Sequence, residues 1–162
     1  MTLSTLIACT APALPEEDQA AIYATVVRQL YTVDHTFGDE PPNFPKVYLL
    51  RTTYELDRPD APQIESGSIP ESTQAAIVAA LDDLPAEFVW VDHFDEVPLS
   101  HGDVEGRGAV ITLSNLQLKE EGSVLVMADL FFAGTGGAGI TYIIDEVDDT
   151  WQVVTTMHRW GS

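Results

Sequence analysis

Carboxylates and imidazoles crowd the segment from Asp92 to Gly108. Those that could ligate a metal ion are Asp92, His93, Asp95, His101, Asp103 and Glu105. The segment is predicted to be a long loop, and loops of more than about 12 to 15 residues are often functional or mobile. Its oxygens suit Ca²⁺ and its imidazole nitrogens suit transition metals, but the spacing matches no EF-hand, zinc-finger or HExxH pattern. Because a solvated acidic loop fits the same residues, we expect no cofactor, with Ca²⁺ as the alternative.

Two further positions could serve acid–base chemistry. Asp129 is the lone acid in an apolar run that predicts a central strand, where desolvation would raise its pKa. It could equally be a surface residue or pair with Arg107 or Arg159. His35 follows Asp34, and a carboxylate beside an imidazole can orient it for general-base work. A role at the end of a helix is the alternative for this pair.

The sequence supports neither a dinucleotide-binding site nor a nucleophile elbow. The stretch from Gly134 to Gly139 matches the GxGxxG pattern, but a dinucleotide site needs that pattern between a strand and a helix. Here a strand is predicted to follow, so the glycines indicate a hairpin loop. The chain has no GxSxG nucleophile elbow, and its single cysteine is not near a plausible base.

Two stretches show helical periodicity. From Pro15 to Val33 apolar side chains recur at helical spacing, and acidic residues directly after Pro15 favour the positive end of the helix dipole. A second helix is predicted to start at Ser68, where Ser68 and Glu71 match a capping box, and to stop before Pro85. Both helices precede a strand-rich half of the chain.

The other regular stretches predict strands. Lys46 to Tyr54 and Phe88 to Val91 are rich in β-forming residues. Four more candidates follow in succession: Ala109 to Lys119, Ser123 to Ala133, Gly139 to Val147 and Thr150 to Trp160. Because short turn signals separate these four, they are predicted to form an antiparallel meander. In the first of them the apolar phase slips around Ser114-Asn115, which indicates a β-bulge that bends the sheet.

Two helices ahead of a bent antiparallel sheet resemble the cystatin-like or NTF2-like architecture, in which a helix packs into a curved sheet. The resemblance implies an α+β fold with two helices packed on a curved antiparallel sheet that ends in a four-stranded meander. It implies no catalytic residue, because NTF2-like enzymes place their acids and bases differently in each family and a fold alone does not define a function. The ending from Gly139 to Ser162 is also similar to the C-termini of uncharacterised bacterial lipoproteins.

Leu6-Ile7-Ala8-Cys9 resembles the lipobox of bacterial lipoproteins, in which Leu, a small or β-branched residue, and Ala or Gly precede a lipidated cysteine. The resemblance implies a signal peptide, lipidation of Cys9 and anchoring to the cell membrane outside the cytoplasm. A complete signal needs a basic start and about 7 to 15 apolar residues. Met1 to Leu6 provides neither, so Met1 is predicted to be an internal start. A free cysteine in the tail of a cytoplasmic protein is the alternative.

The predicted domain organisation follows from that boundary. Residues 1–14 are expected to be the remnant of a lipoprotein signal and its tether. Residues 15–162 are expected to form a single globular α+β domain, because 162 residues suffice for one sizeable core.

The chain is strongly acidic. It has 26 Asp and Glu against 7 Lys and Arg, for a formal net charge of −19. Nucleic acid is therefore excluded as a direct partner, since phosphate binding needs clustered Lys and Arg. Anionic lipid would also repel the domain, and no apolar run approaches the roughly 18 residues of a membrane span. Membrane contact is expected only through an N-terminal lipid.

Two classes of function stay open. The first is a lipid-anchored binding or accessory module without catalysis, which contacts an unknown protein or small ligand through its sheet or its aromatic residues. The second is an NTF2-like enzyme or small-ligand-binding protein with a pocket in the cone of the sheet, where Asp129 would be the best carboxylate. A cavity that holds both Asp129 and a histidine would favour the enzyme.

Overall fold

The computed structural model describes residues 14–35, 43–56 and 65–161, and two α-helices form within them. Helix α1 spans Glu16–Thr32, which confirms the first predicted helix to within one residue at each end. Helix α2 spans Glu71–Ala80 and starts later than predicted. Pro70 occupies its N-cap position without any side-chain cap, and Ser68 lies in a strand. The predicted capping box is therefore wrong.

Ten β-strands lie in the described residues. In chain order they are β1 (Lys46–Tyr54), β2 (Glu65–Ser68), β3 (Glu87–Val91), β4 (Leu99–Ser100), β5 (Asp103–Val104), β6 (Ala109–Ser114), β7 (Gln117–Leu118), β8 (Val124–Ala133), β9 (Gly136–Val147) and β10 (Thr150–Gly161). The two strands predicted before Ala109 and the four after it are all present, and β2, β4 and β5 were not predicted.

Eight strands form one sheet in the order β10-β9-β8-β6-β1-β2, with β3 also on β1 and β7 also on β8. The strands from β6 to β10 pair antiparallel with their neighbours, which confirms the predicted meander. However, β1 is parallel to both β3 and β6. The sheet is therefore mixed, and the expectation of an antiparallel sheet throughout is wrong. Helix α2 lies in the connection from β1 to β3, and crossovers of this kind return a strand in the parallel direction.

Both helices pack on one face of the sheet, here called the inner face. The core there draws on α1, α2 and the central strands, and its fully buried members include Ile22, Val26, Leu30, Leu49, Ile77, Ile111, Leu130, Tyr142 and Ile144. Complete burial of one such aliphatic side chain contributes about 1.5–3 kcal/mol. This core therefore dominates the stability of the domain.

A bidentate ion pair joins the C-terminal half of α1 to the turn that follows α2. The Arg28 guanidinium donates to both oxygens of Asp83, at 2.6 and 2.9 Å, and to the carbonyl of Ala80 at 2.7 Å. These hydrogen bonds hold the pKa of Asp83 below its ordinary value and raise the pKa of Arg28. The pair fixes the approach of α2 to α1 at the solvent side.

A smaller apolar cluster covers part of the opposite, outer face. Its buried members are Leu50, Val91, Val97, Val104 and Val110, with Tyr48, Tyr54 and Phe131 packed around them. Val97 and Val104 come from the acidic segment predicted as a loop. That segment contains a two-stranded ladder of β4 and β5 and two short 3₁₀ turns, because its two valines need burial against the sheet.

The predicted bulge is present where β6 gives way to β7. Between the pairs Leu113↔Ala128 and Gln117↔Leu125, residues 114–116 lie opposite only residues 126 and 127 of β8. The Ser114 hydroxyl accepts the Met127 N–H at 2.8 Å and donates to the Asn115 carbonyl at 2.9 Å. The extra residue bends the strand and turns β7 away from β1.

Candidate functional site

A cleft of about 310 Å³ opens on the inner face at the bulge, between the start of α1, strand β2 and strand β7. We call it the bulge cleft. It is lined by Leu14, Gln19, Tyr23, Thr53, Gly67, Ser68, Ile69, Pro70, Asn115, Leu116 and Leu118. The cleft exists because the bulge carries β7 away from β1, so that neither strand fills the space under the first turns of α1.

Asn115 organises the wall of the cleft through hydrogen bonds to two strands, β1 and β2. Its Oδ1 accepts the Thr53 hydroxyl of β1 at 2.5 Å, and its Nδ2 donates to the Ser66 hydroxyl of β2. Its backbone N–H donates to the Tyr54 carbonyl at 2.8 Å. A side chain bonded at both ends is held in one orientation, so this wall is preorganised.

Tyr23 is the one ionisable side chain among the lining residues that the structure describes. It is only 4% exposed, and its hydroxyl donates to the Ser114 carbonyl at 3.1 Å. Burial raises the pKa of Tyr23 well above its ordinary value. The phenol is therefore neutral across the physiological range. Gln19 is fixed in the same region, because its Nε2 donates to the Leu14 carbonyl at 2.7 Å.

None of the described residues that line the cleft carries a formal charge at neutral pH, although the chain as a whole has a net charge of −19. The polar groups in the wall are hydroxyls and amides, and the rest of the surface is aliphatic. Such a lining suits hydrogen bonds to an uncharged ligand and contact with its apolar parts. Its described residues include no carboxylate or imidazole for proton transfer.

Asp129, the predicted catalytic candidate, lies on the other face of the sheet. Its inner-facing neighbours in β8 belong to the main core, whereas its own carboxylate points to the outer face. Oδ1 accepts the Trp160 indole N–H at 3.1 Å, and Oδ2 accepts the Thr112 hydroxyl at 3.4 Å. The structure therefore separates Asp129 from the bulge cleft by the thickness of the sheet.

Two glycines of β9 allow Trp160 to reach Asp129. In the sheet register, Asp129 of β8 pairs with Gly139 of β9, which pairs with Trp160 of β10. A Cβ atom on Gly139 would overlap both the indole nitrogen and the Asp129 carboxylate, and one on Gly137 would press on the same ring. The glycines of the GxGxxG stretch thus form a seat for an aromatic ring. As predicted, the stretch begins as a hairpin turn, but from Gly136 onward it is strand.

The metal-ligand candidates lie in the outer-face segment, where several have protein partners. Asp92 pairs with Arg51 at 2.8 Å, His101 Nδ1 lies 3.1 Å from the Ser100 hydroxyl, and Asp103 Oδ1 accepts the Gly134 N–H at 3.4 Å. The carboxylate of Glu96 accepts the backbone N–H of His93 at 3.0 Å. Asp95 and Glu105 are exposed within the two 3₁₀ turns. Among the described residues, no three His, Cys, Asp or Glu side chains come together as a ligand set.

The remaining candidates lie at or beyond the edges of the described residues. His35 is half-buried just after α1, and its neighbour Asp34 accepts the side-chain amide of Gln29 at 3.0 Å. Cys9, the predicted lipidation site, lies outside the described residues. Within them, no helix is both long enough and apolar enough to cross a membrane.

Sequence reasoning missed the cleft residues Tyr23, Thr53 and Asn115. Tyr23 looked like one more member of the apolar stripe of α1, and Thr53 like one more β-forming residue. The one available signal was the phase slip at Ser114-Asn115, which located the bulge without revealing that it opens a cavity.

Comparison of the chain with protein-family models, with curated proteins and with solved structures finds no match.

Proposed function

We propose that this protein is a binding module without catalysis, anchored outside the cytoplasm by a lipid on Cys9, whose bulge cleft takes an uncharged ligand bearing hydroxyl or amide groups. The observation that carries the proposal is the composition of the cleft. The described part of its lining is uncharged in a chain with a net charge of −19, and the polar groups there are hydroxyls and amides held in place by internal hydrogen bonds.

The separation of cleft and carboxylate supports binding over catalysis. General acid–base work needs a group that titrates near the working pH and reaches the substrate. Among the described lining residues the only ionisable group is that of Tyr23, and burial raises its pKa away from that range. Asp129 has its carboxylate on the opposite face, bonded to Trp160 and Thr112.

The position of Leu14 connects the cleft with the proposed anchor. Leu14 lines the cleft and directly precedes α1. The five residue steps from Cys9 to Leu14 span at most about 18 Å of extended chain. A lipid on Cys9 would therefore hold the cleft close to the membrane surface, where the acidic domain would be repelled by anionic headgroups but retained by its acyl chains.

For the fold, we propose that the domain belongs with the cystatin-like or NTF2-like architectures. The packing of α1 over β8 and β10 and the bulged meander support this assignment. The parallel pairs that β1 makes with β3 and β6 depart from the antiparallel sheet that the resemblance implies. An experimental structure superposed on members of both groups would decide the assignment.

The ligand class can be tested with three sugar-sized probes that differ in charge: N-acetylglucosamine, glucosamine and glucuronate. We expect millimolar N-acetylglucosamine to shift the backbone amide resonances of Gln19, Gly67 and Ser68, and the two charged probes to shift them less. Ser68→Trp should fill the cleft and abolish the shifts, whereas Ser100→Trp, an equally exposed site in β4, should retain them. Stronger binding of a charged probe, or no shift at the cleft with any probe, would refute the ligand class.

The anchor can be tested separately in the host cell. Cys9→Ser, made in the gene with its natural upstream sequence, should abolish incorporation of a labelled fatty acid and move the protein from the membrane fraction to the soluble fraction. Thr10→Ser provides the matched control and should change neither. Unchanged labelling of the Cys9→Ser protein would show that the lipidation proposal is wrong, whatever the cleft binds.

A further inference from the structure

The wall of the bulge cleft on the side of β7 is apolar. It is formed by Leu116 and Leu118. Leu118 pairs with Val124 of β8, whose side chain belongs to the main core, so Leu118 lies on the inner face of the sheet. Side chains two residues apart in extended chain point the same way, which places Leu116 on this face as well. Both leucines are therefore available to an apolar part of a ligand.

The wall formed by β2 is polar instead. Gly67 and Ser68 line the cleft there, and both are exposed. No described residue forms a hydrogen bond with the Ser68 hydroxyl. The first turns of α1 contribute Gln19, whose Nε2 donates to the Leu14 carbonyl at 2.7 Å, whereas its Oε1 has no partner among the described residues. A ligand can thus meet one hydroxyl and one amide oxygen, and neither carries a charge.

The other polar side chains of the described lining are already engaged within the protein. Thr53 donates to Asn115 at 2.5 Å, and Tyr23 donates to the Ser114 carbonyl at 3.1 Å. Turning either hydroxyl toward a ligand would break an existing hydrogen bond. Ser68 and Gln19 are therefore the groups that can bond a ligand without such a loss.

The apolar surface of the cleft reaches from the core to the solvent. Leu14 and Leu116 are half-buried and pack against the main core, whereas Leu118 is 39% exposed. An exposed leucine that continues the wall of a cleft leaves apolar area in water, and a ligand that covers it removes that area. An apolar group alone would leave Ser68 and Gln19 without a partner, so the ligand needs a polar part as well.

We infer that the ligand of the bulge cleft is an uncharged amphiphile. Its hydroxyl- or amide-bearing head group bonds to Ser68 and Gln19, and its alkyl or acyl chain lies along Leu14, Leu116 and Leu118. This inference rests on the proposed function of the cleft and adds the apolar part of the ligand. The cleft volume of about 310 Å³ is near the lower limit for pockets that hold drug-sized molecules, which suits a head group with a single short chain.

The chain can be tested with the methyl, propyl and hexyl glycosides of N-acetylglucosamine, each kept below its micelle concentration. Titration of the full chain, prepared without lipid, would follow the backbone amide resonances of Gln19, Gly67 and Ser68. We expect the dissociation constant to fall by about two- to fourfold for each methylene that the leucines cover. The methyl glycoside reports the head group alone.

Two variants separate the apolar and polar contacts. Leu118→Ser should bring the dissociation constants of the hexyl and methyl glycosides closer together, because it removes apolar contact area. Leu99→Ser is the matched control, since Leu99 is 42% exposed in β4 on the outer face, and it should keep the ratio of the parent. Ser68→Ala should raise the dissociation constant of all three glycosides by a similar factor, about two- to tenfold. Circular dichroism of each variant should match that of the parent.

The source of the amphiphile is tested with phosphatidylcholine vesicles that contain the dodecyl glycoside of N-acetylglucosamine. Flotation of the protein with these vesicles, and not with plain ones, would identify a ligand taken from a bilayer. Binding of the dissolved glycosides without flotation would identify a ligand taken from solution. Either result supports the ligand class.

The failure of this inference differs from the failure of the proposed function. Equal dissociation constants for the methyl and hexyl glycosides, or the same ratio in Leu118→Ser as in the parent, would overturn the amphiphile but leave an uncharged polar ligand in place. No shift at the cleft with any glycoside or with N-acetylglucosamine would overturn both.

Discussion

A catalytic site would combine a cavity with a carboxylate, but in this protein the two lie on opposite faces of the sheet. The inner face has the helices, the main core and the bulge cleft, whose walls are neutral. The outer face has Asp129, which is hydrogen-bonded to Thr112 and Trp160. A ligand in the cleft and the carboxylate of Asp129 would thus lie on opposite sides of one sheet. An acid on a central strand therefore marks a reactive site only if a cavity lies on the same face.

The largest expected effect is a loss of stability when a side chain of the inner face is shortened, compared with a side chain on the exposed edge. Leu130 is fully buried on the inner face, so Leu130→Ala should lower the free energy of unfolding by about 2–5 kcal/mol through lost burial and a residual cavity. Met157 on the exposed edge is 39% accessible, and Met157→Ala should change the free energy of unfolding by less than about 0.5 kcal/mol. Urea denaturation of both variants measures the difference. Equal losses would show that the inner core does not dominate.

An intermediate effect is expected at the glycine seat of the outer face. A methyl group at position 139 would overlap both the Trp160 indole and the Asp129 carboxylate, so Gly139→Ala should displace the ring and cost about 1–3 kcal/mol. The fluorescence of Trp160 in this variant is obtained by subtracting the spectrum of the double variant Gly139→Ala with Trp160→Phe. Gly134→Ala is the control, since its Cβ meets only the Gly102 carbonyl at 3.8 Å. An unchanged Trp160 signal in Gly139→Ala would show that the seat is not needed.

The smallest effect concerns the cleft wall and its pH dependence. Tyr23→Phe removes the hydrogen bond to Ser114 and should cost about 0.5–1.5 kcal/mol at neutral pH. The pKa of Tyr23 in the folded protein is raised above the unfolded value of 10.0. Its neutral form therefore contributes its full stabilisation below pH 10. It is lost as the pH rises further.

The pH profile of unfolding tests this prediction. Stability of the parent chain should fall above pH 10, and that of Tyr23→Phe should fall less steeply. Some slope should persist in the variant, because burial also raises the pKa of Tyr31 and Tyr54. Identical alkaline profiles would show that Tyr23 ionises as readily in the folded protein as in the unfolded chain.

The parts of the fold that depend on local pattern could be predicted. Helix α1 and the meander strands have clear periodicity and turn signals, and the structure confirms them. Strand β2 could not be predicted, because Glu-Ser-Gly-Ser has no apolar alternation and forms a strand only by pairing with β1. The parallel neighbours of β1 come from distant parts of the chain, and nothing in a local window specifies such a pairing.

The candidate site shows the same limit. The sequence correctly predicts that Asp129 lies on a central strand, but its partner Trp160 is remote in sequence and reaches it only because Gly139 lacks a side chain. The cleft joins Tyr23, Thr53 and Asn115 from three elements. Each of these residues fits an ordinary structural role by itself, so their convergence emerges only from the tertiary arrangement.

The position of β1 among β2, β3 and β6 affects how the chain folds. The hairpins among β8, β9 and β10 close through short turns and can form early. Strand β1 must wait for β3 and β6, which follow it by some 40 to 60 residues, and such non-local closure slows folding. During synthesis the first half of the chain therefore has no complete sheet to join until β6 has emerged. We expect refolding to show meander formation first and docking of β1 with its helices last.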